Sequence, residues 1–180
     1  MTFIINVPIY GQLFFRDIFK LLLADIKFLM ELNSNIYNLT DLTSALNDVS
    51  EKSNLPKLFG KIRFNFKDIE HLCFWDDENY SKINIGSGNN YELFLICWEK
   101  QQKSPIHNHG ESIESWSYLV KGEITEKVFE QNEDSEDFKL LKETVLSNRQ
   151  TSSLKHTKNL YHSFFNSFNG RSVSLHLYIK

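Results

Sequence analysis

The chain has 180 residues, enough to bury a hydrophobic core in one domain with an extension. Its formal net charge is −3, so no overall basic field favours nucleic-acid binding. Two cysteines are too few for a disulfide framework and favour a reducing, cytoplasmic location, while 15 Phe beside only 7 Gly favour a packed, β-rich body.

The N-terminal segment is apolar, but it does not have the pattern of a signal peptide. No lysine or arginine precedes its apolar run, and no small-residue cleavage site follows it. From Leu13 to Leu32 the apolar residues recur with helical spacing, and charged residues interrupt them. We therefore predict a helical extension over residues 1–37 that packs on the body or on a second subunit, and no membrane partner.

A second helix is predicted from Asp41 to about Lys52, where apolar residues form one face and Thr40 can cap the first turn. Pro56 is expected to end this helical region. The segment from Lys61 to Cys73 fits a strand as well as a helix, and the sequence leaves that choice open.

Beyond Trp75 the chain changes character, because short apolar runs alternate with polar turns. Runs of this kind without intervening helices are typical of an antiparallel barrel or jelly roll. We therefore predict a mainly β domain over residues 38–180. The predicted strands run from Lys82 to Ile85, Tyr91 to Trp98, Ser115 to Val120, Ile124 to Phe129, Phe138 to Val145, Leu160 to Phe168 and Ser172 to Ile179.

Two histidines one residue apart, His107 and His109, lie in a strand-like run between two predicted strands. Side chains at positions i and i+2 of a strand point to the same face of a sheet. The pair can therefore reach a single metal ion, although two exposed strand histidines would give the same pattern.

A mononuclear metal site needs at least one more ligand, and neutral imidazole suits iron, zinc, copper and nickel. The candidates are His71, His156, His162 and His176. His162 and His176 lie in aromatic or β-branched patterns typical of strands, as convergence in a closed β structure requires. We interpret His156 as a polar loop residue and His71 as a structural one.

Several short motifs occur in one order along the chain. Each is weak alone, but together they resemble the cysteine dioxygenase family of cupins over roughly Leu39 to Tyr178. The motifs are Trp98, the run His107-Asn108-His109-Gly110, Gly122, His162 and the run Ser174-Leu175-His176-Leu177-Tyr178.

The resemblance implies a double-stranded β-helix, the cupin fold, that holds one ferrous iron on His107, His109 and His162. It further implies oxidation of a small thiol to a sulfinic acid with O2. Three neutral imidazoles suit this chemistry, because they leave the metal at charge +2 with open positions for a thiolate and O2.

In that family the Ser-x-His-x-Tyr run forms a hydrogen-bonded relay beside the iron, which would assign Ser174, His176 and Tyr178 to catalysis. Alternate residues of one strand do share a face. The other interpretation is a row of satisfied polar side chains in a barrel.

Substrate binding is where the chain departs most from the family. The position of an arginine that binds the substrate carboxylate falls on Lys82, close to Tyr80. Lysine can neutralise a carboxylate but lacks the bidentate fork of arginine. We expect Lys82 and Tyr80 to bind substrate and leave its identity open.

A second departure concerns Glu114. The family's eukaryotic members have a cysteine there that cross-links to the tyrosine, and the residues Glu114-Ser115 exclude such a thioether. In the general cupin pattern the same position carries a fourth metal ligand. Glu114 is therefore a candidate fourth ligand, a base beside the metal, or a solvated loop charge.

We therefore expect a cytoplasmic iron(II) thiol dioxygenase whose partners are O2 and a small thiol, with cysteine first and 3-mercaptopropionate next. We expect a monomer or weak homodimer. The alternatives are a zinc or manganese isomerase, which Glu114 as a ligand would favour, and a cupin that only binds a ligand.

Overall fold

The computed structural model describes residues 17–18, 20, 22–23, 34–110, 112–132 and 137–180. Contacts divide the chain into two units, Met1–Asn35 and Ile36–Lys180. In the first unit, residues 17–18, 20 and 22–23 are helical, as predicted, and the rest of that predicted helix lies outside the described residues. None of the described helices is both long and apolar enough to cross a membrane.

The second unit begins with short helical elements. They are helix α1 (Leu39–Asp48), a 3₁₀ turn (Lys52–Asn54), α2 (Leu55–Phe59), α3 (Phe66–Ile69) and a second 3₁₀ turn (Glu70–Leu72). The segment from Lys61 to Cys73, for which the sequence left strand and helix as alternatives, is thus mainly helical. Asn65 and Asp68 form a capping box at the start of α3.

Two expectations about these helices are wrong. Asn38 rather than Thr40 caps α1, because its side chain accepts a hydrogen bond from the Asp41 N–H at 2.8 Å. Pro56 does not end the helical region. It lies in the first turn of α2, where the missing N–H of proline costs no helical hydrogen bond.

Among the described residues of this unit, eight antiparallel strands follow the helices, which confirms the predicted mainly β class. The five-stranded sheet has the order β1-β2-β8-β3-β6, and the three-stranded sheet has the order β5-β4-β7. The strands are β1 (Ser81–Ser87), β2 (Tyr91–Trp98), β3 (Glu114–Lys121), β4 (Glu123–Gln131), β5 (Phe138–Ser147), β6 (Thr151–Lys155), β7 (Leu160–Phe165) and β8 (Ser172–Ile179).

The core packs the two sheets face to face. It joins side chains from both sheets, namely Ile96, Trp98, Leu119, Ile124, Leu146 and Phe164. The other face of the five-stranded sheet is covered by the helical segment, where the Phe59 ring packs edge-on against Tyr118 with centroids 6.4 Å apart. Strands β2 and β8 are therefore buried on both faces. This explains the nearly continuous apolar sequence of β2, whereas β8 also carries a buried polar row.

Gly122 makes the corner between β3 and β4, where the chain passes from one sheet to the other. Its φ of +86° is a conformation that side chains disfavour, and a Cβ there would overlap Ser172. The Ser172 hydroxyl in turn donates a hydrogen bond to the Glu123 carbonyl at 3.1 Å. The corner between the two sheets is thus fixed by a close contact that only glycine permits.

Candidate metal centre

Three histidines converge at one end of the three-stranded sheet. His107 and His162 form an isolated antiparallel bridge, with the His107 N–H donating to the His162 carbonyl at 2.9 Å and the reverse bond at 2.8 Å. His109 follows two residues later. The pair His107 and His109 was predicted in a strand-like run; it lies outside the regular strands, but this bridge holds it against β7.

The imidazole nitrogens of His107, His109 and His162 lie close enough to bind one ion. One ring nitrogen from each lies within 4.8 Å of the other two, and the Nε2 atoms of His109 and His162 are 3.0 Å apart. Imidazole nitrogens bind metals at about 2.0 to 2.1 Å. The structure thus brings the three predicted ligands together, and the donor set fits an iron, zinc, copper or nickel ion.

Hydrogen bonds fix the orientation of two of these rings. The Nδ1 atom of His162 lies 2.9 Å from the Glu126 carboxylate, and the Nδ1 atom of His107 lies 2.9 Å from the Pro105 carbonyl. Each Nδ1–H is therefore a donor to an oxygen, which leaves Nε2 as the metal ligand. A carboxylate partner also makes an imidazole a stronger ligand.

Glu126 was missed by the sequence analysis, although β4 carries a signal for it. Ile124, Glu126 and Val128 alternate along the strand and share its buried face. A carboxylate at a core-facing position needs a partner, because an unpaired buried charge is costly. Here that partner is His162, which is 1% exposed.

Burial favours the neutral form of two of the ligand imidazoles, those of His109 and His107. It lowers the pKa of His109 to about 2, with His162 and His107 contributing. The pKa of His107 is also lowered, first by burial and then by His162, although the Pro105 hydrogen bond opposes the shift. Neutral imidazole is the form that binds a metal, so protons do not compete for these nitrogens near pH 7.

Tyr178 lies at the edge of the histidine cluster. Its ring is 4.2 Å from the His109 ring between centroids, and it is 5% exposed. Burial raises the pKa of its hydroxyl, which therefore stays protonated. No hydrogen bond of this hydroxyl is found among the described residues, so it is available to a bound molecule.

The hydrogen-bond chain on β8 does not follow the expected relay. The Trp98 indole donates to Ser174 at 3.0 Å, the Ser174 hydroxyl contacts Nε2 of His176 at 2.9 Å, and Nδ1 of His176 contacts Ser117 at 3.2 Å. Both nitrogens of His176 are thus used by serines, and Tyr178 is not its partner. The expected contact between Tyr178 and His176 is absent from this structure.

Lys82 lies beside Tyr178 on the same side of the five-stranded sheet. Its ammonium is 4.7 Å from the centroid of the Tyr178 ring and 4.1 Å from that of Phe94. Burial lowers its pKa, and Glu92 opposes this effect. Tyr80 stacks on Trp98, with ring centroids 4.7 Å apart. The side chain of Trp98 lies on the same face of the five-stranded sheet as that of Lys82.

Two other cations, Arg63 and Arg171, form their bonds away from the histidine cluster. Arg171 forms an ion pair with Glu99 at 2.7 Å. Arg63 donates to the backbone carbonyls of Gly60 and Ile62. Lys82, by contrast, has no ion pair among the described residues, and its ammonium lies over the Tyr178 ring.

The structure does not bring Glu114 to the cluster. Glu114 pairs with Ile179 in the sheet, whereas the next residue, Ser115, pairs with Tyr178. Residues opposite each other share a face and consecutive residues alternate, so Glu114 points away from Tyr178 and the histidines. Among the described residues, the group of converging ligand atoms contains the three histidines and no carboxylate.

His156 is the main difference between sequence and structure in this region. It was interpreted as a polar loop residue, yet its ring lies 5.0 Å from that of His109 and 5.9 Å from that of His162, between centroids. His156 does lie outside the regular strands, but its position beside the cluster was missed because the preceding strand, β6, was not predicted. His71, by contrast, is exposed in the second 3₁₀ turn and takes no part in the cluster.

Comparisons with known proteins agree with this geometry. The sequence model of one family, described as cysteine dioxygenase type I, matches residues 16–180. This match begins closer to the N-terminus than the resemblance over Leu39 to Tyr178 indicated. No curated protein sequence matches the chain.

Solved structures with a similar fold include three bacterial proteins. The protein TT1209 from Thermus thermophilus has a TM-score of 0.50 and 18% identity, over 62% of this chain and 93% of that one. A cupin superfamily protein from Desulfitobacterium hafniense has a TM-score of 0.45 and 8% identity, over 61% and 84%. A protein with a double-stranded β-helix domain from Klebsiella pneumoniae has a TM-score of 0.49 and 12% identity, over 62% and 85%.

At these identities the likeness concerns the fold alone. The two antiparallel sheets and the match to the cysteine dioxygenase type I family confirm the predicted cupin double-stranded β-helix with N-terminal helices.

The first prediction concerns the three histidine ligands. Alanine in place of His107, His109 or His162 should lower the metal content of anaerobically loaded protein from about one ion per chain towards zero, because two imidazoles hold a divalent ion weakly. Metal analysis measures this, and His71→Ala is the matched control that should keep the metal. Full occupancy in His162→Ala protein would contradict the assignment.

The second prediction concerns Glu126. Glu126→Gln keeps the shape and can still accept the His162 hydrogen bond, but it removes the charge that strengthens this ligand. Metal affinity should fall by about tenfold to a hundredfold. Competition with a chelator measures the affinity, and Glu143→Gln, on the surface of β5, is the control. Equal affinities of the two variants would mean that Glu126 only fills space.

Proposed function

Because the chain belongs to the cysteine dioxygenase type I family, we propose that it is a non-haem iron(II)-dependent thiol dioxygenase. Its substrate is cysteine or a related small thiol acid such as 3-mercaptopropionate. The thiol takes up both atoms of one O2 and becomes a sulfinic acid, so sulfur is oxidised, O2 is reduced and no further reductant is needed. The iron supplies the redox chemistry that joins sulfur to O2.

The observation that carries this proposal is the convergence of three imidazoles on one point. His107, His109 and His162 would hold the iron through one ring nitrogen each. Such a set adds no negative charge to a divalent ion, and it leaves positions for a thiolate and O2. The bridge between His107 and His162 and the bond to Glu126 hold these nitrogens in place before any ion binds.

Lys82 is the residue that we propose for the substrate carboxylate. Its ammonium lies over the faces of Phe94 and Tyr178, which attract a cation without neutralising it. Lys82 is exposed as a whole, but burial lowers the pKa of its ammonium, and partial removal of that charge from water strengthens an ion pair with an incoming carboxylate. A single ammonium fixes that group less strictly than an arginine fork would, so related thiol acids of different length can fit.

Tyr178 is the residue that we propose to donate a hydrogen bond to the reacting molecule. Its hydroxyl is protonated, its ring is fixed between His109 and Phe94, and Lys82 lies over its face. A phenol held in this way can stabilise negative charge that develops on oxygen during the reaction. Tyr80, which stacks on Trp98, would limit the size of the substrate.

Ser174 and His176 have a positioning role in this proposal. The chain of bonds from Trp98 through Ser174 and His176 to Ser117 satisfies a buried polar row on β8. It fixes the strand that carries Tyr178. A direct proton relay from His176 to Tyr178 is not part of the proposal, since the serines use both imidazole nitrogens.

The orientation of Glu114 disfavours the competing isomerase function, because that alternative depended on Glu114 as a fourth ligand. We propose a small thiol and O2 as the partners and the cytoplasm as the location. The two thiols, Cys73 and Cys97, are both free, as expected in a reducing compartment.

The third prediction tests the substrate class through Lys82. Cysteine and 3-mercaptopropionate should react, whereas cysteamine, which has no carboxylate, should not. Loss of a charged hydrogen bond costs about 2 to 3 kcal/mol. Lys82→Ala should therefore raise the Michaelis constant for both thiol acids by tens of fold in O2-uptake assays.

Lys121→Ala is the matched control, since Lys121 also lies over an aromatic ring, that of Phe66 at 4.1 Å, but away from the histidines. Its Michaelis constants should equal those of the parent protein. Faster turnover of cysteamine than of cysteine by the parent would refute the thiol-acid class and leave the dioxygenase class standing.

The fourth prediction concerns the hydroxyl of Tyr178. Tyr178→Phe keeps the ring that packs on His109, so iron content should stay unchanged. Turnover should fall by roughly tenfold to a thousandfold, the effect of one lost electrostatic or proton-transfer contact. Tyr118→Phe removes another buried hydroxyl and is the control. If both variants turn over at the parental rate, the hydroxyl of Tyr178 is structural.

A further inference from the structure

A fourth histidine, His156, lies against the three-histidine cluster. It directly follows β6, and its backbone N–H donates to the Ile113 carbonyl at 3.0 Å, which continues the pairing of β6 with β3. The ring meets those of His109 and His162 edge-on, at interplanar angles of 66° and 80°. The backbone hydrogen bond fixes the position of His156, and its ring lies beside those of His109 and His162.

Both ring nitrogens of His156 are buried from solvent and have no hydrogen-bond partner among the described residues. A neutral imidazole carries one donor and one acceptor. Leaving a buried donor or acceptor unpaired costs about 1 to 3 kcal/mol. A group placed in this way needs a partner, and the space it faces is the space that the three ligand nitrogens also face.

The partner is not a metal ion bound directly by His156. The ligand nitrogens of His107, His109 and His162 all lie within 4.8 Å of one another, and no nitrogen of His156 belongs to this group. The ring of His156 is therefore displaced from the common point of the three nitrogens.

We propose that His156 hydrogen-bonds the exchangeable ligand of the metal, a water molecule or small anion at rest and the substrate during turnover. This inference rests on the proposed metal site. A cleft of about 350 Å³ lies beside this position, and His109 and His156 both line it. His156 would then select ligands that can pair with an imidazole.

The experiment uses the full chain loaded with cobalt(II) and titrated with azide, which reports on an open metal position without thiol or O2. Visible absorption of the cobalt gives the azide Kd. The variants are His156→Leu, which removes both hydrogen-bonding groups, and His156→Asn, which keeps a donor and an acceptor in a smaller side chain. His71→Leu is the matched control. Thermal unfolding checks that each variant folds. If the His156→Leu protein does not fold, the azide Kd of the His156→Asn protein tests the proposal.

The proposal predicts that all variants keep cobalt and that His156→Leu raises the azide Kd by about tenfold to a hundredfold, the effect of one hydrogen bond to a charged group. His156→Asn should fall between the parent and His156→Leu, and His71→Leu should match the parent.

Three results would overturn the inference. An unchanged azide Kd in folded His156→Leu protein would make the residue structural. Loss of cobalt would make it a metal ligand. A parent centre that binds cobalt but no azide would lack the exchangeable position that the proposal requires. Failure of the parent to bind cobalt at all would instead refute the metal site itself, so the two failures are distinguishable.

Discussion

The backbone bridge between His107 and His162 is the interaction on which the rest of the site depends. Two hydrogen bonds of 2.9 and 2.8 Å join a segment outside the regular strands to β7, and they set two ligands from distant parts of the sequence side by side. The position of His109 follows from that of His107. A divalent ion then needs little rearrangement of the chain, because the bridge is independent of the ion.

This arrangement buries polar side chains, and the hydrogen bonds of the surrounding core offset the free-energy cost of that burial. His162 and Glu126 are almost fully buried, and a buried polar pair is tolerated only when its hydrogen bonds are satisfied. The same holds for the polar row of Ser174, His176 and Ser117. The two sheets therefore combine an apolar half around Trp98 with a polar half around the histidines, and the polar half has little freedom to adopt another packing.

The sequence predicted the strands that are buried on both faces. It did not predict features that depend on which strands pair and in which register. Strands β2 and β8 were predicted with the correct ends because both of their faces are buried. The pair His107 and His109 followed from its spacing, and the choice of His162 followed from the resemblance to the cysteine dioxygenase family. Strand β6 was missed, since Thr151–Lys155 has little apolar character and lies at the edge of its sheet. That omission hid the position of His156. The direction of Glu114 depended on strand register, which one sequence does not contain, whereas Glu126 had a signal in the alternation of buried residues along β4.

The most direct test of this account is the stoichiometry of the reaction. Protein loaded anaerobically with iron(II) and then mixed with cysteine or 3-mercaptopropionate and O2 should hold about one iron per chain, as a single three-histidine site requires, and should consume one O2 for each sulfinic acid formed. Iron bound at this ratio without O2 uptake from either thiol, or O2 uptake that yields disulfide and no sulfinic acid, would contradict the central claim.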